Sequence, residues 1–310
     1  MSIDLQTAVK ALRTDTTTVT LRPRYEGNNI NTWIGFKHVN YLVEEAVLEH
    51  FRAAGLPSRL LFEEYGLGLE ITEIDTRILN AFHLDDVAVA TITPSGDGLA
   101  FKLVVAKEGG TGKDVTSKVK VTLRRETYVS PEDTVPAELA PFAVDRIGGT
   151  GTGPAAGDDV LAGLTEGRNA YGWKWRIPYP YCHNNERLQM SGYLRLMEEV
   201  VDRFLADRGI SIKTLLDERR WIPVVPRSGI VQLDEAWMEE DLYIVYTVEE
   251  IFKDVTYTSR MDTYVVRDGE LVRTATGTIT HGYAVFHDRR DWSLVNFDER
   301  VLAALRGRPA

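Results

Sequence analysis

The chain has 310 residues, 44% of them hydrophobic and 26% charged, with a formal net charge of −10 at pH 7. That length suits two domains of ordinary size. The acidic balance argues against a nucleic-acid partner, which needs a basic face, and no apolar run approaches the ~20 residues of a membrane helix.

In chain order, residues 17–24 alternate in polarity and predict a first strand, after which Asn28, Asn29, Asn31 and Gly35 make a polar loop. A helix is predicted over 37–54, with Val39, Val43, Ala46, Val47 and Phe51 on one side, Gly55 as its stop and Pro57 just beyond. Strand patterns follow over 67–79, 87–93, 99–107 and 115–128. In the last, Val119, Val121 and Leu123 alternate with Lys118, Lys120 and Thr122, so one face is buried and the other wet. Residues 148–158 hold five glycines and a proline and read as a flexible connection.

Beyond it the order recurs: a strand over 172–179, the loop Cys182-His183-Asn184-Asn185-Glu186, and a helix over 188–208 with Leu194, Met197, Val201 and Phe204 at helical spacing. Strands are predicted over 221–233, 242–251, 257–266 and 271–286, the last two joined by Asp268-Gly269, a two-residue hairpin signal. The helices themselves match, since the stretch from Leu42 to Gly55 is echoed from Leu196 to Gly209, each with a glutamate pair and a terminal glycine. A repeat at half the chain length means a duplicated domain. The expected division is a first domain over 1–145, a linker over 146–170 and a second domain over 171–310. His83-Leu-Asp-Asp-Val87 aligns with Met238-Glu-Glu-Asp-Leu242, acidic positions expected in turns facing solvent. Each half is then an α+β unit, with one long helix as the only cover for the apolar face of an antiparallel sheet.

A long helix followed by four long antiparallel strands resembles the hotdog fold. Phe36-Lys-His-Val-Asn40 looks like the Gly-His-Val-Asn motif that opens the helix of acyl thioesterases in that superfamily, and Gly192-Tyr-Leu-Arg-Leu-Met-Glu-Glu199 resembles their Tyr-Leu-x-x-x-Glu-Glu segment. The resemblance implies a tandem, or double, hotdog similar to acyl-carrier-protein thioesterases. It implies hydrolysis of an acyl or aryl thioester of coenzyme A or a carrier protein, without cofactor or metal. The partners implied are acyl-CoA or acyl carrier protein, with no nucleic acid and no membrane; a whole-chain homodimer is allowed but not required. Two departures stand out. The aspartate usual before the His-Val-Asn motif is missing from Asn31-Thr-Trp-Ile-Gly35, and Arg187 falls where the second half's histidine would be.

Thioester hydrolysis needs a polarised carbonyl, an activated water and a groove. A helix N-terminus, at Lys37 to Asn40 or Arg187 to Met190, offers N–H groups and partial positive charge to a developing oxyanion. The expected catalytic set is His38 with Glu45 or Glu49, and Asn40 to orient water or substrate. Family spacing favours Glu49; the repeat favours Glu44 and Glu45 as counterparts of Glu198 and Glu199. His183, with Asn184 and Asn185, is a second or alternative centre, and Glu199 would serve it. Against each stands a plainer role: a cap for His38, a solvent-facing helix surface for the glutamates, turn chemistry for the His183 loop.

Cys182, the single cysteine, leaves no internal disulfide, and no sequence feature lowers its pKa as a nucleophile would require. With the opening Met1-Ser-Ile-Asp-Leu, which lacks the order of a signal peptide, it leads to the expectation of a cytoplasmic protein. His281 sits on a strand, where a satisfied core histidine is the plainer reading. Tyr171, Trp173, Trp175, Tyr179 and Tyr181 alternate and suit either a pocket wall or a half-buried strand. The glycine-rich segments at 109–113 and 149–153 lack the context of phosphate loops and read as turns. A hydratase or dehydratase of the same fold would need an Asp–His loop pair that neither half shows. A catalytically silent acyl-binding or scaffold protein is the remaining reading.

Overall fold

The computed structural model describes residues 4–126, 134–149, 153–182 and 185–307. The chain divides into two compact units, Met1–Gly149 and Thr150–Ala310.

In the first unit the elements run α1 (Leu5–Thr14), β1 (Thr17–Leu21), α2 (Phe36–Ala53), α3 (Ser58–Tyr65), β2 (Leu67–Ile78), β3 (Ala88–Pro94), β4 (Leu99–Lys107), β5 (Val115–Arg125) and the two-residue β6 (Ala143–Val144). The strands lie in the order β1-β3-β4-β5-β2, all antiparallel, with β6 added parallel to β5. The second unit has α4 (Val160–Thr165), β7 (Ala170–Arg176), α5 (Met190–Asp207), α6 (Ile212–Arg219), β8 (Trp221–Gln232), β9 (Asp241–Phe252), β10 (Thr256–Arg267), β11 (Glu270–Phe286), β12 (Trp292–Leu294) and α7 (Glu299–Leu305). Its order is β7-β9-β10-β11-β8, the same path through corresponding strands, and β12 pairs with β11.

The duplication is exact in register over the first half of each unit. From α2 to α5, from α3 to α6 and from β2 to β8 the bounds move by the same 154 residues. The β-bulge at Ile71/Glu73 recurs where β8 passes from Val224 to Arg227. Each long helix stops at a glycine with positive φ, Gly55 (+86°) and Gly209 (+70°), a conformation that costs other residues about 1 kcal/mol. The acidic turns repeat as well, one residue out of the alignment expected from the sequence. Asp86 accepts the His83 N–H and pairs with Lys107, just as Glu240 accepts the Trp237 N–H and pairs with Arg267. Asp86 and Glu240 are therefore turn-locking partners and not merely solvated charges.

Burial follows helical spacing on α2, where Phe36, Val39, Leu42, Val43, Ala46, Val47 and Phe51 are inside. They meet alternate residues of the sheet, among them Ile92, Leu99, Phe101, Val121 and Leu123. Each of the larger side chains among them, valine, leucine, isoleucine or phenylalanine, stabilises the unit by roughly 1.5–3 kcal/mol. α5 covers its own sheet with Leu194, Met197, Val201 and Phe204.

Three expectations need correction. The long helices are not the only cover, because α1, α3, α6 and α7 bury Leu12, Leu61, Leu215 and Leu305 against the same cores. The first strand stops at Leu21, ahead of Pro23, and the seventh at Arg176, ahead of Pro178, because proline cannot donate to a ladder. Residues 154–156 of the glycine-rich segment are docked: Leu271 donates to the Pro154 carbonyl and Ala156 donates to that of Gly269. Gly153 has no room for a Cβ, which would lie 1.7 Å from the Leu271 oxygen. The end of the strand expected over 115–128 falls outside the described residues beyond 126.

Candidate active site at the start of α2

The polar loop between β1 and α2 folds back on itself. Tyr25–Gly27 form a 3₁₀ turn, Asn31 and Thr32 take left-handed backbone angles (φ +71° and +64°), and Gly35 then donates to the Gly27 carbonyl at 3.0 Å. Two further bonds, Ile34 N–H to Phe82 O and Leu84 N–H to Thr32 O, fasten the loop beside β3. α2 begins at Phe36 with Gly35, which has no side chain, as its N-cap.

The return brings Tyr25–Gly27 against the first turn of the helix. His38 is buried at 4% side-chain exposure, and its Nε2 lies 3.3 Å from a carboxylate oxygen of Glu26, which is 63% exposed. Tyr41 meets the His38 ring edge-on at 5.0 Å. Gly27 is indispensable here, since a Cβ on it would sit 2.5 Å from His38 Cγ. An acid does therefore reach the motif histidine, from twelve residues upstream and not from the segment Asn31–Gly35.

Asn40 is fully buried and faces the sheet. Its Nδ2 donates to the Phe36 carbonyl at 2.9 Å, and its Oδ1 accepts from Thr76 Oγ1 at 2.7 Å. Thr76 and Ser117 hydroxyls are bonded at 2.8 Å, and Ser117 also donates to the Asp75 carbonyl. This chain pins the first turn of α2 to β2 and β5.

The helix glutamates are not brought to His38. At 1.5 Å per residue, Glu45 and Glu49 lie about 10 and 16 Å further along the axis. Glu49 pairs with Arg52, and Glu199 with Arg203 at 2.7 Å, both as partly exposed same-helix ion pairs. Arg203 in turn lies 4.1 Å over Trp173 on β7, so the aromatic alternation there makes a half-buried strand face. His183 and Asn184 lie outside the described residues. Cys182 is buried, and burial pushes its thiol up to about 11, which leaves it protonated and a poor nucleophile at neutral pH. His281 is a core residue, stacked on Tyr257 at 5.2 Å, and no protein group among the described residues bonds its Nδ1.

The second unit has lost the counterpart of this arrangement. Tyr179–Tyr181 form the corresponding 3₁₀ turn, with Pro180 for Glu26 and Tyr181 for Gly27. Gly192 stands in place of His38 and is packed against Tyr181 and Leu188. Leu194, Ile230 and Gly277 replace the chain Asn40–Thr76–Ser117, with Ile230 paired to Gly277 as Thr76 is to Ser117. The glycine and the large residue have changed places, and the polar groups have gone.

The missed residue is Glu26. Its signal was the glycine after it, which only becomes meaningful once the loop's return is known.

Among the described residues no group of His, Cys, Asp and Glu is placed to hold a metal ion, and no helix is long and apolar enough to cross a membrane. A long helix wrapped by an antiparallel sheet, occurring twice, defines a tandem hotdog protein. Solved structures share that architecture over most of their length. A protein from Lactobacillus plantarum assigned as an oleoyl thioesterase aligns at a TM-score of 0.58 and 12% identity, over 87% of this chain and 95% of its own. The 12:0-ACP thioesterase from Umbellularia californica aligns at 0.56 and 12%, over 86% and 93%. An acyl-ACP thioesterase from Bacteroides thetaiotaomicron aligns at 0.54 and 8%, over 90% and 100%. No family model and no curated relative matches the sequence.

Proposed function

We propose that the first unit hydrolyses an acyl or aryl thioester, linked to coenzyme A or a carrier protein, at the start of α2. The observation that carries this reading is the Glu26–His38 pair, an accessible carboxylate held by a buried imidazole beside the N-terminus of α2. The thioesterase activities named for the structurally similar proteins support it.

In this mechanism a water held by Glu26 adds to the carbonyl carbon while the carboxylate takes its proton, a step that gains roughly 10²–10⁴ from general-base catalysis. Negative charge growing on the carbonyl oxygen meets the partial positive charge of the α2 terminus. The C–S bond then breaks, and the thiol leaves with the proton that Glu26 had accepted. His38 positions Glu26 through the close approach of its Nε2 to the carboxylate, 3.3 Å away, and prevents the carboxylate from turning away. Asn40 holds the helix terminus to the sheet, while Glu45, Glu49 and Glu199 have no part in the chemistry.

Thiol release from a panel of acyl- and aroyl-CoA thioesters and acyl carrier proteins tests this. Glu26→Gln should lower kcat by about 10²-fold or more, His38→Ala somewhat less, and Glu49→Ala should be neutral. Release that survives Glu26→Gln unchanged overturns the mechanism. No release from any thioester overturns the activity and favours a silent acyl-binding protein, and water addition to an enoyl thioester would instead indicate a hydratase.

A further inference from the structure

The two copies also differ at the outer lip of the loop that carries Glu26. Pro23 is buried, and the arginines on either side of it, Arg22 and Arg24, are exposed. The backbone at Arg24 is extended (φ −76°, ψ 147°), so residues two apart share one side of the chain. Gly27 donates to the Arg24 carbonyl and Asn28 to that of Tyr25, both at 3.0 Å. The turn that presents Glu26 therefore also fixes the backbone beneath Arg24. Among the described residues neither arginine has an ion pair or a side-chain hydrogen bond.

In the second unit these free cations are gone. Arg176, at the place of Arg22, is paired with Glu239 at 2.9 Å, and Pro178 stands at the place of Arg24. The first unit does hold an acid at the place of Glu239, the exposed Asp85, yet Arg22 makes no pair with it. The tyrosine ahead of the turn is exposed in both copies, 79% at Tyr25 and 69% at Tyr179, so it does not set them apart. Exposed arginines are common and cost little; what marks this pair is its company. The copy that keeps Glu26 and His38 keeps two uncompensated guanidinium groups within four residues of the carboxylate, in a chain whose net charge is −10. The copy that lost the pair has one cation neutralised and the other replaced.

We propose that Arg22 and Arg24 bind the phosphate-bearing end of the thiol that carries the acyl group, and that the substrate is accordingly a coenzyme A thioester. This rests on the hydrolytic reading of the Glu26–His38 site and narrows it. A guanidinium group meets a phosphate with two parallel N–H donors, a match that a lysine does not offer. Arg22 lies at most about 14 Å along the chain from Glu26, a span that an extended pantetheine arm can bridge. With the carbonyl at Glu26, the diphosphate then falls on the lip, where several negative charges face two arginines. A carrier protein brings a single phosphodiester, and a docked protein needs roughly 800 Å² of surface on each side. A lip of two free cations on an acidic chain suits the smaller, more highly charged ligand.

The test compares thiol release by the full chain for one acyl group carried on coenzyme A, 4′-phosphopantetheine, pantetheine and a carrier protein. Calorimetric titration with free coenzyme A and free pantetheine runs beside it. Coenzyme A should bind at least tenfold more tightly than pantetheine, and kcat/KM should fall in the same order, chiefly through KM. Arg22→Gln and Arg24→Gln should each reduce that preference by about five- to tenfold, and the double variant should abolish it. Arg24→Lys should keep part of it, because the charge stays while the paired donors go. Arg59→Gln removes an equal charge at the far end of α2, where Arg59 pairs with Glu63, and should leave the preference intact. Equal hydrolysis of the coenzyme A and pantetheine esters overturns the role of the arginines while hydrolysis at Glu26 stands. A higher kcat/KM on the carrier protein overturns the choice of coenzyme A. If no ester releases thiol, the hydrolytic reading fails instead, and the titration still decides: coenzyme A that binds no tighter than pantetheine, or binds the double variant as it binds the parent, overturns the proposal.

Discussion

Acid should weaken the second unit through His281. Burial without a charged partner lowers its pKa from 6.5 to about 3, so the folded state refuses a proton that the unfolded state accepts. The unfolded chain therefore binds more protons between those values, and stability falls as pH drops through that window. The full loss at pH 3 is about 3.5 pH units at 1.36 kcal/mol each, roughly 5 kcal/mol, of which about 2 kcal/mol has gone by pH 5. His281→Leu, an apolar residue as at the sister position Val121, removes this term. His50 in the first unit is lowered by burial as well and acts in the same direction, but parent and variant share it and it cancels. Urea unfolding followed by tryptophan fluorescence suits the measurement, because Trp33 alone lies in the first unit and Trp173, Trp175, Trp221, Trp237 and Trp292 report the second. The parent should lose about 2 kcal/mol more than His281→Leu between pH 6.5 and pH 5. Parallel pH profiles for the two proteins would refute the reasoning.

Two other substitutions probe the first unit. Asn40→Leu leaves the Phe36 carbonyl and the Thr76 hydroxyl short of a buried partner, and should cost roughly 2–4 kcal/mol in denaturant unfolding. Adding Thr76→Ile and Ser117→Gly, the set found in the second unit, should recover part of that loss without restoring hydrolysis. Gly27→Ala forces a methyl against the His38 ring and should cost about 1–3 kcal/mol, while displacing the imidazole from Glu26. It should abolish thiol release at temperatures where circular dichroism still shows a folded chain.

Periodicity exposed the large elements because their burial is one-sided. α2 and α5 show apolar residues every three or four positions, and β5 alternates from Val115 to Leu123, so each carries its packing in its own sequence. The Asp268-Gly269 turn was equally local, since both residues adopt positive φ (+52° and +80°). The short helices α3 and α6 span only two turns between strong punctuation, too few for a period to emerge. The repeat disclosed the pairing of the copies, but not their divergence. Glu26 lay hidden for a different reason: it meets His38 only because Asn31 and Thr32 turn left-handed and return the chain, a long-range event with no periodic signature. The glutamates on α2 match the motif spacing, which carries no information about the axial distance separating them from the helix start.

The exchange between the copies can itself be tested by attempting to reverse it. A Cβ at Gly192 would lie 2.5 Å from Leu188 Cδ1 and 3.1 Å from the Tyr181 carbonyl, and the Tyr181 ring stands 3.4 Å away. Gly192→His alone therefore has nowhere to put an imidazole and should destabilise the second unit by at least 1–3 kcal/mol. Tyr181→Gly removes the obstructing ring, so the double variant should be more stable than the sum of its parts, a favourable coupling of the size expected for residues in contact, about 1 kcal/mol or more. Pro180→Glu would then place a carboxylate where the first unit has Glu26. If histidine is tolerated at 192 with Tyr181 in place, the two helix starts are not built on one plan, and the second was not filled by a side-chain exchange.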